Sequence, residues 1–330
     1  MPLWTAGQPP PGPDERARAT WVHAALSADF DGDGRAELLA LGRFGWSGLW
    51  RAGAGGRFED VTSRSGLKPA LWPHVPVHAA AGDVDGDGRC DLVLVYRPDP
   101  DVRPRRGPVE LWRNRPGPDG APRFEAAGAA AGLAAAGDPA AALLADFDND
   151  GALDLYVVRQ AGFGASEPPN LFFRGDGEGR FAACGPAWGG TGPLGARPEA
   201  ACAYDLDRDG DLDLLTANGA GDGAARDAWV LYRNRGGERG GLTLELARAR
   251  GTPHGLGARL ELTAGGRRQV RQILCQTFPL SSCVVPAHFG LGRDAGPFTV
   301  EVRWPGGGVQ RVALPGAGAF RLREGDTEAR

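Results

Sequence analysis

Lysine is almost missing from this chain: Lys68 is the one lysine among 37 basic residues. With abundant Ala, Gly and Pro, that bias reads as GC-rich coding and not as an arginine-driven function. No focused basic patch or aromatic platform accompanies the arginines, so nucleic-acid binding is not expected. No stretch approaches about 18 consecutive apolar residues, so no membrane-spanning helix is expected either. The five cysteines, Cys90, Cys184, Cys202, Cys275 and Cys283, form no C-x-x-C pair, which argues against a zinc ribbon or redox motif. Cys275 and Cys283 flank a hairpin-like stretch, and both a disulfide and free thiols stand open for them. None of the five Asn begins an N-x-Ser/Thr sequon, which gives secretion no support. Met1-Pro-Leu-Trp-Thr-Ala6 carries neither a basic n-region nor an apolar h-region; either the protein is not secreted classically or this is a truncated or mature form. No Ser or Cys occupies a nucleophile elbow or a Cys/His arrangement.

What is plentiful is Gly (53) and Pro (27), yet 42% hydrophobic residues and nine Trp argue against disorder. At 330 residues the chain has room for one large β domain and a smaller one. Acidic residues are concentrated in one nine-residue pattern that occurs four times. The copies are Asp29-Phe-Asp31-Gly-Asp33-Gly34-Arg35-Ala-Glu37, Asp83-Val-Asp85-Gly-Asp87-Gly88-Arg89-Cys-Asp91, Asp146-Phe-Asp148-Asn-Asp150-Gly151-Ala152-Leu-Asp154 and Asp205-Leu-Asp207-Arg-Asp209-Gly210-Asp211-Leu-Asp213. We call these loops 1 to 4. Positions 1, 3, 5 and 9 are always acidic and position 6 is always Gly. That spacing suits a hard cation held by alternate carboxylates and the position-7 carbonyl, with Gly permitting the sharp turn. Oxygen-only ligands favour Ca2+ over zinc or copper, so up to four Ca2+ are expected. Plain acidic β-turns are the competing reading, but turns do not need an acid at position 9 every time. Four bound divalent cations would carry the formal charge of −4 to about +4, so the acidity says little about a partner.

An EF-hand would need a Glu at position 12 and flanking helices. Position 12 is instead Ala40, Leu94, Val157 or Thr216, within strand-like runs such as Leu92-Val-Leu-Val-Tyr96. The motif starts lie 54, 63 and 59 residues apart, a length that suits a four-stranded blade. An aromatic strand follows each motif: Leu49-Trp50-Arg51, Leu111-Trp112-Arg113, Leu171-Phe-Phe-Arg174 and Leu231-Tyr232-Arg233. Each unit therefore reads strand, metal loop, strand, aromatic strand, Gly-rich turn, outer strand, with the Ala-rich run 126–136 as loop. Residues 1–20 form a Pro-rich leader, 21–248 the blades and 249–330 a C-terminal β domain. That last part alternates in 258–262, 269–273 and 298–303, and carries Gly255-Leu-Gly-Ala258, His288-Phe-Gly-Leu-Gly292 and Trp304-Pro-Gly-Gly307. Trp304 and Phe289 are the expected anchors of this part on the last blade.

The repeats resemble the FG-GAP/VCBS repeats of calcium-binding β-propellers, and the C-terminal motifs look like the ASPIC/UnbV domain. Together they are similar to the cartilage acidic protein family. The resemblance implies an all-β fold: a propeller with four blades visible, complete or partial, followed by a small β domain. It implies a non-enzymatic, calcium-binding extracellular or matrix protein whose partner is another protein or a matrix component. The alternative is a propeller enzyme or carbohydrate binder that uses its central channel, with calcium purely structural.

Several sharper signals have plainer explanations. Arg174-Gly175-Asp176 spells an integrin-recognised tripeptide, but it falls at a hairpin turn that needs such residues anyway. His74 and His78 lie four apart, but Pro73 and Pro76 exclude a regular helix, which disfavours a zinc pair. His288 is expected to fix a loop by hydrogen bonds, and the Trp residues to pack between blades.

Overall fold

The computed structural model describes residues 22–42, 47–71, 76–96, 108–117, 119–133, 139–159, 169–185, 188–189, 197–219, 229–248, 253–278 and 281–329. The leader, His74, and Ala134–Ala136 lie outside them. Each repeat folds as an antiparallel meander. Blade 1 is β1 (Val22–Ala28), β2 (Glu37–Gly42), β3 (Gly48–Ala52) and β4 (Phe58–Asp60), paired in that order. Blade 2 is β5 (Pro76–Gly82), β6 (Asp91–Tyr96), β7 (Val109–Pro116) and β8 (Pro122–Ala126). Blade 3 is β9 (Pro139–Ala145), β10 (Asp154–Arg159), β11 (Leu171–Gly175) and β12 (Phe181–Ala183). Blade 4 has three strands among the described residues, β13 (Arg197–Tyr204), β14 (Asp213–Gly219) and β15 (Val230–Tyr232). One helical turn, α1 (Lys68–Leu71), interrupts the strands. In the Ala-rich run, residues 128–131 form a 3-10 turn.

The apolar faces of neighbouring blades close on each other, as antiparallel sheets with two covered faces must. Leu39 and Leu92 meet in the core shared by blades 1 and 2, Leu111 and Phe173 in that of blades 2 and 3, Tyr156 and Leu214 in that of blades 3 and 4. β6 is buried along its whole length, which explains why its sequence is continuously apolar instead of alternating.

The C-terminal region is a second all-β unit. β16 (Gly240–Ala247) pairs antiparallel with β21 (Ala287–Gly292) and parallel with β24 (Gly318–Arg323). β17 (Arg259–Ala264), β18 (Arg267–Gln272), β22 (Phe298–Arg303) and β23 (Val309–Leu314) form the other sheet, in the order β18-β17-β22-β23. β16 lies before the expected boundary at residue 249, yet all its strand pairing is to this unit. Phe289 and Trp304 are buried in the unit's own core with Leu244, Val300 and Leu322, and do not anchor it on the last blade as expected. Large aromatics bury most area wherever a core exists, and this region has one of its own.

A hairpin, β19 (Cys275–Phe278) and β20 (Ser281–Val284), leaves that unit, and β19 packs on both β1 and β13. The inner strands of the first and last blades are thus bridged by a segment of the C-terminal region, and Leu274 joins the blade 1–2 core. In the hairpin register Cys275 faces Val284 while Cys283 pairs with Gln276, and Cys275 is a free thiol.

Candidate metal centres

All four acidic loops connect the first and second strands of their blades with one register. The residue before position 1 pairs with position 9: Ala28 with Glu37, Gly82 with Asp91, Ala145 with Asp154, and Tyr204 with Asp213. Position 9 is therefore the first residue of the returning strand, and its carboxylate folds back over the loop. It accepts the position-2 amide in every copy: Phe30 to Glu37 Oε2 (2.8 Å), Val84 to Asp91 Oδ2 (3.2 Å), Phe147 to Asp154 Oδ2 (3.0 Å) and Leu206 to Asp213 Oδ2 (3.3 Å). In blades 2 to 4 its second oxygen accepts an amide of the aromatic-strand segment, from Asn114, Gly175 or Asn234. That is the structural reason for an acid at position 9 in all four copies.

The position-6 Gly amide turns inward to position 1 in each loop: Gly34 to Asp29, Gly88 to Asp83, Gly151 to Asp146 and Gly210 to Asp205. All four glycines have φ between 84° and 93°, so the left-handed turn expected of Gly is present. The carboxylates converge. Asp29, Asp31 and Asp33 bring one oxygen each within 4.8 Å of one another, as do Asp205, Asp207 and Asp209. In loops 2 and 3 the converging sets are Asp83, Asp85, Asp91 and Asp146, Asp148, Asp154. Positions 1 and 3 thus converge everywhere, joined by position 5 in the outer loops and position 9 in the middle ones. The position-7 residues Arg35, Arg89, Ala152 and Asp211 each donate their amide to the position-5 carboxylate.

The electrostatics fit a cation. Burial first, then neighbouring carboxylates, push Glu37 to about 8; burial likewise takes Asp91 and Asp154 to about 8, Asp146 to about 7 and Asp83 to about 6. Glu37 Oε1, Asp83 Oδ1 and Asp205 Oδ1 are buried carboxylate oxygens without a hydrogen-bond partner. Orphaned buried oxygens of this kind are costly unless something else binds them. Arginines offset part of the charge from the outer side: Arg51 reaches Asp31 (2.6 Å), Arg115 reaches Asp85 and Asp87, Arg174 reaches Asp148 and Asp150, and Arg233 reaches Asp207. The donor set is all oxygen, so the residues fit Ca2+ better than a softer metal.

Arg174 is thus engaged with loop 3, and Asp176 accepts the amides of Glu178 and Arg180 in a tight turn. The tripeptide Arg174-Gly175-Asp176 is built as the hairpin that its repeat position implies. His78 is buried in β5, where its Nδ1 accepts the Ala142 amide.

Sequence reasoning missed the residues that the C-terminal unit places on the loops. Gln272 clasps the Asp29 backbone, accepting its amide (3.0 Å) and donating to its carbonyl (2.7 Å). Arg259 donates to the Gly88 carbonyl, and Gly290 donates its amide to Asp146 Oδ2 (3.0 Å). Arg271 is half-buried; desolvation lowers its pKa while Asp146 and Asp83 work against that shift. His288 lies between Thr243 (3.0 Å) and Asn149 (2.7 Å), so it fixes a loop as expected. The Asn149 amide nitrogen donates to Gly210 and Asp211, which turns its oxygen toward His288 Nε2–H. Burial pushes that imidazole down to about 3, so it is neutral. At position 4 the Asn149 side chain is expected to point away from the ion; it does so into a buried network, at φ 55°, where loops 1 and 2 have Gly. That departure from Gly in a left-handed turn was the available signal.

At the axis, these elements leave a cavity of about 110 Å³ bordered by His78, Asp83, Cys90, Asp146, Arg271 and His288.

Residues 29–94 and 83–157 match the family model described as FG-GAP-like repeat, and residues 248–329 match that described as ASPIC and UnbV. FG-GAP-like repeats and an ASPIC/UnbV domain are therefore present in this chain, in the order the motifs gave. A comparison with curated proteins finds no match.

Proposed function

We propose that this protein is a non-enzymatic, calcium-binding scaffold or adhesion protein of extracellular or matrix type, whose partner is another protein or a matrix component. One observation carries the reading: the same carboxylate convergence recurs in four loops, and three of them hold a buried carboxylate oxygen with no partner. Positions 1 and 3 of each loop would hold the ion, with position 5 in loops 1 and 4 and position 9 in loops 2 and 3. Bound Ca2+ would supply the positive charge that offsets carboxylate repulsion of up to about 4 kcal/mol per close pair at an effective dielectric of about 20. The chain's own contribution is to hold each loop in register through position 9 and Gly at position 6.

The cavity bears on the alternative of a catalytic or sugar-binding channel. At about 110 Å³ it is well below the roughly 300–1,000 Å³ usual for ligand sites, because β18, β19 and β21 occupy the axis. Its two carboxylates, Asp83 and Asp146, already belong to loops 2 and 3. This favours the scaffold. The integrin tripeptide is a weak candidate for partner recognition, since its arginine is held by loop 3.

The test is titration calorimetry of chelator-stripped protein with Ca2+, beside thermal melts with and without it. Up to four Ca2+ should bind, and at ten times its dissociation constant each independent site should add about 1.4 kcal/mol. Absence of binding together with identical melting midpoints would sink the calcium reading.

A further inference from the structure

Two glycines show how closely the ASPIC/UnbV domain approaches loop 3. A Cβ on Gly290 would lie 2.5 Å from the Asn149 carbonyl carbon, and closer still to Asp146 Oδ2. A Cβ on Gly241, in β16 beside that domain, would meet the Gly210 carbonyl oxygen of loop 4 first, then His288 Cε1 at 2.7 Å and Asn149 Oδ1 at 2.9 Å. Bare backbone therefore faces the loop, and two amides enter it. Gly290 N–H donates to Asp146 Oδ2 (3.0 Å) and Gly292 N–H to the Asn149 carbonyl (2.9 Å). The His288 imidazole adds a third bond, to the Asn149 side chain.

The other loops are touched differently. Gln272 and Arg259 bond backbone groups of loops 1 and 2, not carboxylates. Among the described residues, Asp146 is the position-1 carboxylate that takes a hydrogen bond from the C-terminal domain. Both its oxygens are satisfied, as are those of Asp29 within loop 1, but of the two only Asp146 draws on the C-terminal domain for this: Oδ1 accepts Asp150 N–H, Oδ2 accepts Gly151 and Gly290 N–H. Loops 1, 2 and 4 each retain an orphaned oxygen, on Glu37, Asp83 and Asp205.

We propose that the ASPIC/UnbV domain is a working part of the loop 3 cation site, with Gly290, Gly292 and His288 as positioning residues, so that domain docking and Ca2+ binding at that loop strengthen each other. The inference rests on the calcium reading above. Docking holds Asp146 oriented beside Asp148 and Asp154 through the Gly290 amide, and holds Asn149 in its left-handed turn between positions 3 and 5. An undocked loop lacks three of these bonds and must order itself as it binds the ion, which weakens binding. By reciprocity the ion must then tighten docking by the same factor.

The test uses the whole chain and Ca2+. Amide hydrogen exchange at Gly290 and Gly292 is measured by NMR before and after loading, with calorimetry on the same samples. Calcium should slow both amides by about 5- to 150-fold, the usual span of coupling between sites. The slowing should vanish in Asp148→Ala, which removes a loop 3 ligand, and survive in Asp31→Ala, which removes one from loop 1. Gly290→Ala should weaken one calcium site by a similar factor and leave the others unchanged. If that variant does not fold, the exchange in the unaltered chain decides. Calcium bound by calorimetry with unchanged exchange at the two amides would overturn the coupling while leaving the calcium reading intact. No calcium bound at all would remove both.

Discussion

The two middle metal loops and the two outer ones share a sequence pattern but not an environment. Position-1 and position-9 carboxylates are buried in all four loops, but in loops 2 and 3, which have a blade on each side, both converge with position 3. Loops 1 and 4 belong to the terminal blades, and their converging sets run through exposed Asp33, Asp207 and Asp209. The difference teaches that the motif fixes the path of the loop, while neighbours decide which oxygens face inward and how dry they are. The largest expected effect tests position 9. Asp154 accepts an amide on each oxygen, whereas Glu37 accepts on Oε2 and leaves Oε1 without a partner. Asp154→Asn must therefore turn an NH2 toward a buried N–H whichever way it points, while Glu37→Gln can place its NH2 on the free side. Burial raises both carboxyls to about 8, so the relief of buried charge is alike in the two variants. In calcium-free protein Asp154→Asn should therefore be less stable than Glu37→Gln by about 1–3 kcal/mol, the cost of the buried N–H left facing a donor. Equal losses in urea unfolding would show that the two loops are held alike.

What the sequence made legible follows the same division between local and distant constraint. The loops, their register and the strands that flank them are set by local spacing, and they read correctly from Asp, Gly and apolar runs. The role of β16 did not, because its parallel partner begins at Gly318, opposite Leu242, and no periodicity encodes a pairing across that separation. For the same reason His288-Phe-Gly-Leu-Gly292 read as a domain signature but not as the surface that seats on loop 3. Its glycines answer to the backbone of Asn149 and the carboxylate of Asp146, far earlier in the chain. The closing role of the β19–β20 hairpin was equally hidden, though the hairpin itself was visible.

Position 4 offers a second comparison, between loops 3 and 4. Asn149 and Arg208 both sit at positive φ, 55° and 63°, so their backbone strain is similar. The Asn149 side chain bonds Gly210, Asp211 and His288, whereas Arg208 is exposed. Asn149→Ala strands the buried His288 Nε2–H and should destabilise by about 2 kcal/mol. Arg208→Ala should fall within about 0.5 kcal/mol of the unaltered protein. Thermal melts that rank the two variants the other way would show that Asn149 is not the hub between loop 3 and the C-terminal domain.

The smallest effect separates loops 1 and 2 by the chemistry of what covers them. Loop 1 is covered by the neutral amide of Gln272. Loop 2 is covered by arginines: Arg259 donates to the Gly88 carbonyl, and the Arg268 guanidinium lies over the same glycine. Glu261 holds both, at 2.6 Å from Arg268 and 3.3 Å from Arg259. The hydrogen bond from Arg268, with the charges of Arg268 and Arg259 behind it, keeps the Glu261 carboxyl below the usual range against the opposing pull of burial. A depressed carboxyl contributes stability that is present above its unfolded value of about 4.3 and lost as pH falls through the lower folded value. Glu261 is partly exposed, so solvent screening limits the contribution to less than about 1 kcal/mol. In calcium-free protein the stability gap between the unaltered chain and Glu261→Gln should therefore be present near neutral pH and close as the pH approaches about 3. The gap for Gln272→Ala, which removes no titrating group, should stay constant over the same span. A Glu261→Gln gap that persists undiminished in acid would mean that this side chain covers loop 2 by packing alone, and that loops 1 and 2 are covered in the same way.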